Sequence, residues 1–308
     1  MTDCGLSKES CCTSLEVAGG TFYRTYDPVN PADGGVEVTA DGGPTSEADP
    51  ATVSSFRLDK YQVTVGRFRQ FVRAWNAGAG WRPSPGSGKH VHLNRGAGLM
   101  SVGGTGGVAY EPGWLASDDG NVSPTNVSLA CVSKYDTWTD SAGSQENLPI
   151  ECANWYEAYA FCIWDGGFLP SEAEWGYAAA GGSAQRKYPW GTAAPGAANK
   201  YAIYNCYYPD GTGTCAGVSN LAPVGFAGQG AGLWGQLDLA GNVWQWNLDR
   251  FAAYANPCVD CANLTATSNR VMRGGDFGYA SAYLRAPTRN GYTPPLRAYI
   301  GFRCARVP

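Results

Sequence analysis

Glycine limits the folds open to this chain, because it accounts for 42 of the 308 residues. A glycine inside a helix costs about 1 kcal/mol relative to alanine, so this content does not suit a helical bundle. The chain also has 11 tryptophans and 18 tyrosines. We therefore predict a loop-dense fold in which large, flat side chains hold irregular backbone in place.

Charge and hydrophobicity exclude several classes of function. The net charge is −4 and hydrophobic residues make up 44% of the chain. Without a stripe of lysine and arginine, neither nucleic acid nor an anionic membrane surface is an expected partner. No apolar run is long enough to span a bilayer, and the first residues do not open a signal peptide.

The eleven cysteines are scattered, which does not fit a zinc ribbon and favours an oxidising compartment. We expect an extracellular, periplasmic or cell-surface protein. Cys206 and Cys215 bracket a turn-rich stretch that a disulfide can close. Cys258 and Cys261 form a C-x-x-C pair in a loop, for which a structural bridge is favoured over a redox pair. The pairing of the others stays open: Cys4, Cys11, Cys12, Cys131 and Cys152.

Periodicity and capping signals predict three helices. Thr64 can cap the first, whose apolar residues recur at helical spacing. A second, mostly buried helix covers 154–164. Ser171 and Glu174 form a capping box for a third, which ends at Gly181. Two strands are predicted at 15–22 and 56–63.

We divide the chain into a cysteine-rich segment at 1–15 and a single domain at 16–308. A polar loop covers about 28–50. Residues 77–145 form a long insertion without strong periodicity. Its many aromatic residues argue against disorder, and loops of this length are usually functional if they are ordered.

Four blocks, in order, resemble the formylglycine-generating enzyme superfamily, also called sulfatase-modifying factors. They are LDKYQVT at 58–64, GFLPSEAEW at 167–175, DLAGNVWQW at 238–246, and RVMRGG at 270–275 with the closing IGFRC at 300–304. The resemblance implies a loop-rich α+β fold related to C-type lectins, with little regular structure. It also implies a disulfide between Cys162 and Cys304.

The resemblance further implies bound calcium in the third block. The implied ligands are the side chains of Asp238 and Gln245 and the carbonyls of Gly241 and Val243, an all-oxygen set that suits a hard cation. The alternative is a capped turn without an ion. A second family site maps its first ligand to Asn205, but no matching aspartate lies near Ala216.

The family's enzymes use two cysteines after the Gly-Gly of the fourth block, and this chain has none at 274–303. Thiolates are the soft ligands that select Cu(I), so formylglycine generation by the family mechanism is excluded. A pseudoenzyme that binds a peptide, glycan or protein partner becomes the leading hypothesis. Its cleft would contain aromatic, polar and arginine side chains: Trp244, Asp276, Tyr279, Tyr283, Arg285, Arg289 and Asn290.

The two histidines, His90 and His92, support an alternative hypothesis. On a strand, residues i and i+2 share a face, so both imidazoles could reach one metal ion. A copper or iron oxidase would need a further carboxylate such as Asp276. We favour structural roles for both histidines because two ligands do not make a metal site.

Overall fold

The computed structural model describes residues 2–26, 49–78, 80–104, 107–265 and 267–308. Almost all of the polar loop expected at 28–50 lies outside the described residues. The strands are β1 Thr2–Cys4, β2 Glu9–Ser10, β3 Ser14–Val17, β4 Gly20–Tyr23, β5 Pro50–Val53, β6 Phe56–Asp59, β7 Met100–Val102, β8 Ala109–Tyr110, β9 Trp244–Arg250, β10 Cys258–Val259, β11 Cys261–Asn263, β12 Arg270–Arg273, β13 Arg289–Tyr292, β14 Ile300–Gly301 and β15 Ala305–Arg306. The α-helices are α1 Val65–Asn76, α2 Asn126–Leu129, α3 Trp155–Trp164 and α4 Glu172–Ala180. These short elements, joined by long loops, confirm the predicted loop-rich α+β fold.

The largest sheet of the described residues has the strand order β13-β12-β9-β14. β12 runs antiparallel to both β9 and β13, whereas β14 runs parallel to β9. Met272 pairs with Trp246, and Ile300 pairs with Trp244. All of β9 except its last residue is buried, so this sheet forms the centre of the fold.

The three longer helices begin where the sequence signals place them. The Thr64 side chain accepts a hydrogen bond from the backbone of Arg67 at the start of α1. Asn154 and Ser171 each form a capping box, at the starts of α3 and α4. Gly181 ends α4 with a φ of 65°, a left-handed conformation that glycine adopts at little cost.

Aromatic packing and a disulfide join α1, α3 and the C-terminal segment. The Phe68 and Phe161 rings stack with centroids 5.7 Å apart, and both pack edge-on against Phe302. Cys162 and Cys304 form the disulfide that the resemblance implies. A cross-link over a loop of this length nominally stabilises the fold by about 4–5 kcal/mol.

Four further disulfides hold loops in place, and Cys12 is exposed and unpaired among the described residues. They join Cys4 to Cys11, Cys131 to Cys152, Cys206 to Cys215, and Cys258 to Cys261. Within the described residues, no helix combines the length and apolar character that crossing a lipid bilayer requires.

Both predicted strands are shorter in the structure than the alternating sequence patterns that predicted them. The run 15–22 splits into β3 and β4 at Ala18 and Gly19, and the run 56–63 ends as β6 at Asp59. The insertion carries β7, which pairs in parallel with β11. It therefore packs as part of the domain rather than as a spacer.

Candidate binding cleft

A cleft of about 240 Å³ opens beside the loop that follows β12. Four parts of the chain meet there: the end of the insertion, the Cys206–Cys215 loop, the β12–β13 loop and the residue before β14. Its lining residues are Tyr135, Cys215, Asp276, Phe277, Gly278, Tyr279 and Tyr299. We refer to this cavity as the cleft.

Two glycines turn the chain from β12 into the cleft. Gly274 and Gly275 have φ angles of 98° and 71°, which side chains rarely permit. A Cβ on Gly274 would lie 2.7 Å from the carbonyl oxygen of Leu239. Beyond the turn, the N–H of Phe277 donates to Asn242 at 3.0 Å, and its carbonyl accepts from Cys206 at 2.6 Å. The wall that Phe277 forms is therefore fixed by backbone hydrogen bonds.

Three of the four aromatic rings that line the cleft pack against one another. Tyr299 packs nearly perpendicular to both Tyr135 and Phe277, with centroid distances of 5.6 Å and 5.4 Å. The Tyr135 hydroxyl donates to the carbonyl of Cys215 at 3.2 Å, which ties the insertion to the Cys206–Cys215 loop. Because the rings support one another, they provide a rigid surface for a ligand.

Asp276 lines the cleft, and the buried Glu151 lies close enough to interact electrostatically with Asp276 and Tyr299. Asp276 is 2% exposed, and its Oδ1 accepts from the N–H of Gly278 at 2.8 Å. Burial raises the pKa of Asp276 to about 7. Glu151 is fully buried and accepts from the N–H of Thr137 through Oε1, whereas Oε2 has no partner among the described residues. Burial, with the nearby charges of Asp136 and Asp276, raises the pKa of Glu151 well above its usual range.

The structure places only part of the predicted cleft residues in the cleft. Asp276 and Tyr279 line it, whereas Trp244 and Tyr283 pack behind Tyr279 with centroids 5.9 Å and 4.6 Å from its ring. Tyr135 was missed as a cleft residue because it reaches the site from a distant part of the sequence. Glu151 was missed for the same reason.

The predicted arginines are a correction, since neither lines the cleft. Arg289 is buried and donates to both carboxylate oxygens of Glu172, at 2.7 and 2.8 Å. Arg285 is also buried, and its Nε donates to the carbonyl of Ala282 at 3.3 Å. Asn290 lies in β13 opposite Met272. Both guanidinium groups are held within the protein, so the recognition surface is aromatic and acidic.

The two histidines do not have the strand arrangement that was expected to place both imidazoles at one metal ion. Neither lies in a strand, and their ring centroids are 6.2 Å apart. His90 is fully buried, with Nδ1 3.0 Å from Glu111 and Nε2 3.0 Å from Glu174. Burial lowers the pKa of His90, but the two carboxylates outweigh it and raise the pKa to about 10. The ring is a buried imidazolium with no nitrogen left for a metal ion.

Hydrogen-bond donors of the protein itself contact the predicted calcium ligands. The carbonyls of Gly241 and Val243 both accept from the Nε2 of Gln62, at 3.1 and 3.0 Å. A calcium ion bound to both oxygens would have to lie between them, and the amide nitrogen of Gln62 occupies that position. The carbonyls as arranged therefore do not fit calcium.

The side-chain ligands of this set are also engaged. Gln245 accepts from the Nε of Arg303 at 2.6 Å, and Asp238 accepts from the N–H of Gly225 at 2.6 Å. Arg303 also donates to the carbonyl of Asp238. A guanidinium group among the ligands repels a divalent cation, so the four predicted residues form a protein hydrogen-bond network instead.

An amide also holds the loop next to Asn205, the first ligand of the implied second site. The Nδ2 of Asn220 donates to the carbonyls of Tyr208 and Thr214 at 2.6 and 3.0 Å, and lies 3.4 Å from that of Cys206. The backbone N–H of Asn205, the implied ligand, donates to Tyr279 at 3.0 Å.

Comparison with known proteins agrees with this architecture. The Sulfatase-modifying factor enzyme 1-like domain matches residues 5–308. A formylglycine-generating enzyme of Streptomyces coelicolor is 33% identical over 260 residues, covering 81% of this chain and 77% of that protein. An inactive C-alpha-formylglycine-generating enzyme 2 of Mus musculus is 33% identical over 314 residues, covering 94% of this chain and 84% of the relative.

Among solved structures, PvdO from Pseudomonas aeruginosa aligns with a TM-score of 0.59 and 21% identity. The alignment covers 97% of this chain and 100% of PvdO. At that identity the likeness bears on the fold alone. The sequence blocks, the shared architecture and the family match agree, and this chain belongs to the sulfatase-modifying factor (formylglycine-generating enzyme) family.

Proposed function

We propose that this chain is a binding domain that keeps the family framework and uses the cleft to hold a peptide, glycan or protein partner. The observation that carries the proposal is the lining of the cleft. Rigid aromatic rings and a buried carboxyl group stand together there, a combination typical of recognition sites. One relative is called inactive, so loss of the family chemistry has a precedent.

The cysteine chemistry of the family has no counterpart at the cleft. Cys215 lines it but is bonded to Cys206, and a disulfide has no thiolate with which to hold Cu(I). The unpaired Cys12 lies in the N-terminal segment, outside the cleft lining. These positions support binding rather than formylglycine generation.

The five disulfides support a place outside the reducing cytosol. We therefore propose an exported protein. We do not propose an oxidase centred on His90 and His92, since both nitrogens of the His90 imidazolium are held by carboxylates.

The first test asks whether the family reaction has been lost. The protein is incubated with copper, oxygen, a reductant and a sulfatase-derived cysteine peptide, with the Streptomyces coelicolor enzyme as the positive control. We expect the peptide mass to stay unchanged while the control converts it. Conversion of the cysteine to an aldehyde by this chain would overturn the proposal.

The second test asks whether the cleft is the binding surface. Glycan and peptide arrays are probed with the wild type and with Tyr279→Ala and Tyr110→Ala variants. Tyr279 and Tyr110 are 42% and 41% exposed, so the substitutions are matched in chemistry and exposure, and only Tyr279 lines the cleft. We expect binding to be lost in Tyr279→Ala and kept in Tyr110→Ala. Equal binding by both variants would contradict a role for the cleft.

A further inference from the structure

We propose that the cleft binds an organic cation, an alkylammonium or guanidinium group, held between its tyrosine and phenylalanine rings and its buried carboxyl groups. This inference rests on the proposed binding function and specifies the ligand class. The cation has two chemical sources, a lysine or arginine side chain of a peptide and a free amine. Both offer the same charged group to the same surface.

The first argument is that Asp276, a buried carboxyl group that lines the cleft, has no ion-pair partner. Asp276 and Glu151 are 2% and 0% exposed, and neither forms an ion pair anywhere in the described part of the chain. The Oε2 of Glu151 has no hydrogen-bond partner there either. Buried carboxylates are usually paired, because burial without a partner costs several kcal/mol. A positive ligand would supply the missing partner.

The second argument is that nearby cations are committed elsewhere. Lys134 donates to the carbonyl of Cys215 at 3.3 Å, and its Nζ lies 5.1 Å from the centroid of the Tyr135 ring. Arg297 donates to Glu157 and to the carbonyl of Cys152. Neither forms an ion pair with Asp276 or Glu151, so the protein leaves this charge to be balanced from outside.

The third argument is the aromatic surface. Tyr299 stands edge-on to Tyr135 and Phe277, at interplanar angles of 87° and 90°, so differently oriented rings border one cavity. The electron-rich face of such a ring attracts a cation, and the attraction is stronger when the cation is desolvated. An anionic ligand would meet the same faces and carboxylates unfavourably.

Size and chemistry favour an organic cation over a metal ion. Calcium takes six to eight oxygen ligands at about 2.3–2.6 Å. Carbon-rich rings form much of the 240 Å³ cleft, and Asp136 and Glu151 each already accept a backbone N–H. An alkylammonium or guanidinium group is larger and less strongly hydrated than a divalent metal ion and can contact both rings and carboxylates, whereas a metal ion uses only the carboxylates.

The test titrates the intact protein with Nα-acetyl-lysine methylamide and n-butylammonium for the cation, and with n-butanol and butyrate as the neutral and anionic analogues. Calorimetry measures affinity, and a lysine-containing pentapeptide distinguishes a peptide source from a free amine. We expect the cations to bind and the two analogues to bind at least tenfold more weakly. Asp276→Asn should weaken cation binding tenfold or more. Asp118→Asn, a carboxylate change at a different cavity, should leave it unchanged.

The dependence on pH gives a second readout. The pKa of Asp276 is raised to about 7 by burial, so affinity should increase from pH 6 to pH 8 as this carboxyl ionises. The groups that face it are the backbone of Gly278 and Tyr279, the tyrosine hydroxyls, and the carboxyl of Glu151. Asp276→Asn should flatten this increase.

Several outcomes would overturn the inference. They are equal binding of butanol, unchanged affinity in Asp276→Asn, or saturation by calcium or manganese at the cleft in place of the amines. A neutral glycan whose binding depends on Tyr279 would refute the cation while leaving the proposed function intact. Binding of nothing at the cleft would refute both.

Discussion

Two pairs of buried carboxyl groups in this protein have opposite surroundings. Glu111 and Glu174 face each other across the His90 imidazolium, with ring-to-carboxylate distances of 3.0 Å. Asp276 lines the cleft with Glu151 buried nearby, and neither carboxyl group forms an ion pair among the described residues. Burial raises the pKa of Glu174, but His90 more than offsets it and the net shift is downward. Burial raises the pKa of Asp276 to about 7 with no such opposition.

We infer from this difference that the first pair stabilises the fold and that the second pair binds a ligand. A carboxylate with an internal cation stabilises the fold, and its removal leaves a charge without a partner. A carboxylate without one destabilises the free protein and becomes favourable when a ligand brings the opposite charge. The His90 cluster (His90, Glu111 and Glu174) should therefore govern folding, and the cleft should govern binding.

The largest expected effect comes from removing the internal cation. His90→Gln leaves Glu111 and Glu174 buried without positive charge, so we expect a loss of about 3–5 kcal/mol in the free energy of unfolding. Urea titration followed by tryptophan fluorescence measures the loss. His92→Phe is the control, because neither His92 nitrogen has a hydrogen-bond partner among the described residues and the ring packs near Phe168. A small effect at His90 would mean that the carboxylates are neutral.

The pH dependence of unfolding tests the same cluster. The pKa of His90 is raised from 6.5 in the unfolded chain to about 10 in the fold. Its stabilisation is therefore fully present below pH 6.5 and is lost as pH rises through about 10. Melting temperatures between pH 6 and pH 10 should fall in the wild type more steeply than in His90→Gln. Parallel curves would contradict an imidazolium at this position.

At the cleft, removing the buried charge is expected to stabilise the protein, whereas removing His90 is expected to destabilise it. The pKa of Asp276 rises from 3.8 in the unfolded chain to about 7 in the fold, so this group destabilises the protein increasingly as pH rises through that window. Asp276→Asn should raise the free energy of unfolding by roughly 1–3 kcal/mol at pH 8 and change it little at pH 4. Urea titrations at the two pH values measure this. Destabilisation at pH 8 would show that Asp276 has an internal partner.

The smallest expected effect concerns calcium. Gln62 and Arg303 donate to the oxygens that the ion would need, so melting curves with calcium and with chelator should coincide. Gln62→Glu replaces the donor with a carboxylate and should create a calcium-dependent increase in melting temperature. A calcium response in the wild type, absent from Asp238→Ala, would mean that the ion displaces the amide.

Local signals predicted the helices well, and the interactions between distant segments poorly. The caps at Thr64, Asn154 and Ser171 depend on residues within three positions, so the sequence contains the whole interaction. The predicted strand at 56–63 is shorter in the structure, because β6 ends where its pairing with β3 and β15 ends. Strand length depends on a partner that local alternation does not reveal.

The candidate site also combines features that the sequence revealed with features that only the structure revealed. The absence of cysteine between 274 and 303, the family framework and the presence of aromatic residues after Gly275 were evident from the sequence alone. Which of those residues face the cleft was not. Arg289 binds Glu172 from 117 positions away, and Tyr135 enters the cleft from the insertion.

The sequence by itself determined the family, the positions of the three longer helices and the absence of cysteine from 274–303, because each depends on residue identity or on near neighbours. Only the tertiary structure decided which buried charges are balanced. Burial and pairing are properties of packed segments, and His90 meets a carboxylate 84 positions away in Glu174. The same physical reason explains Gln62, whose amide reaches carbonyls 179 and 181 positions away, a contact that the sequence motif alone does not reveal.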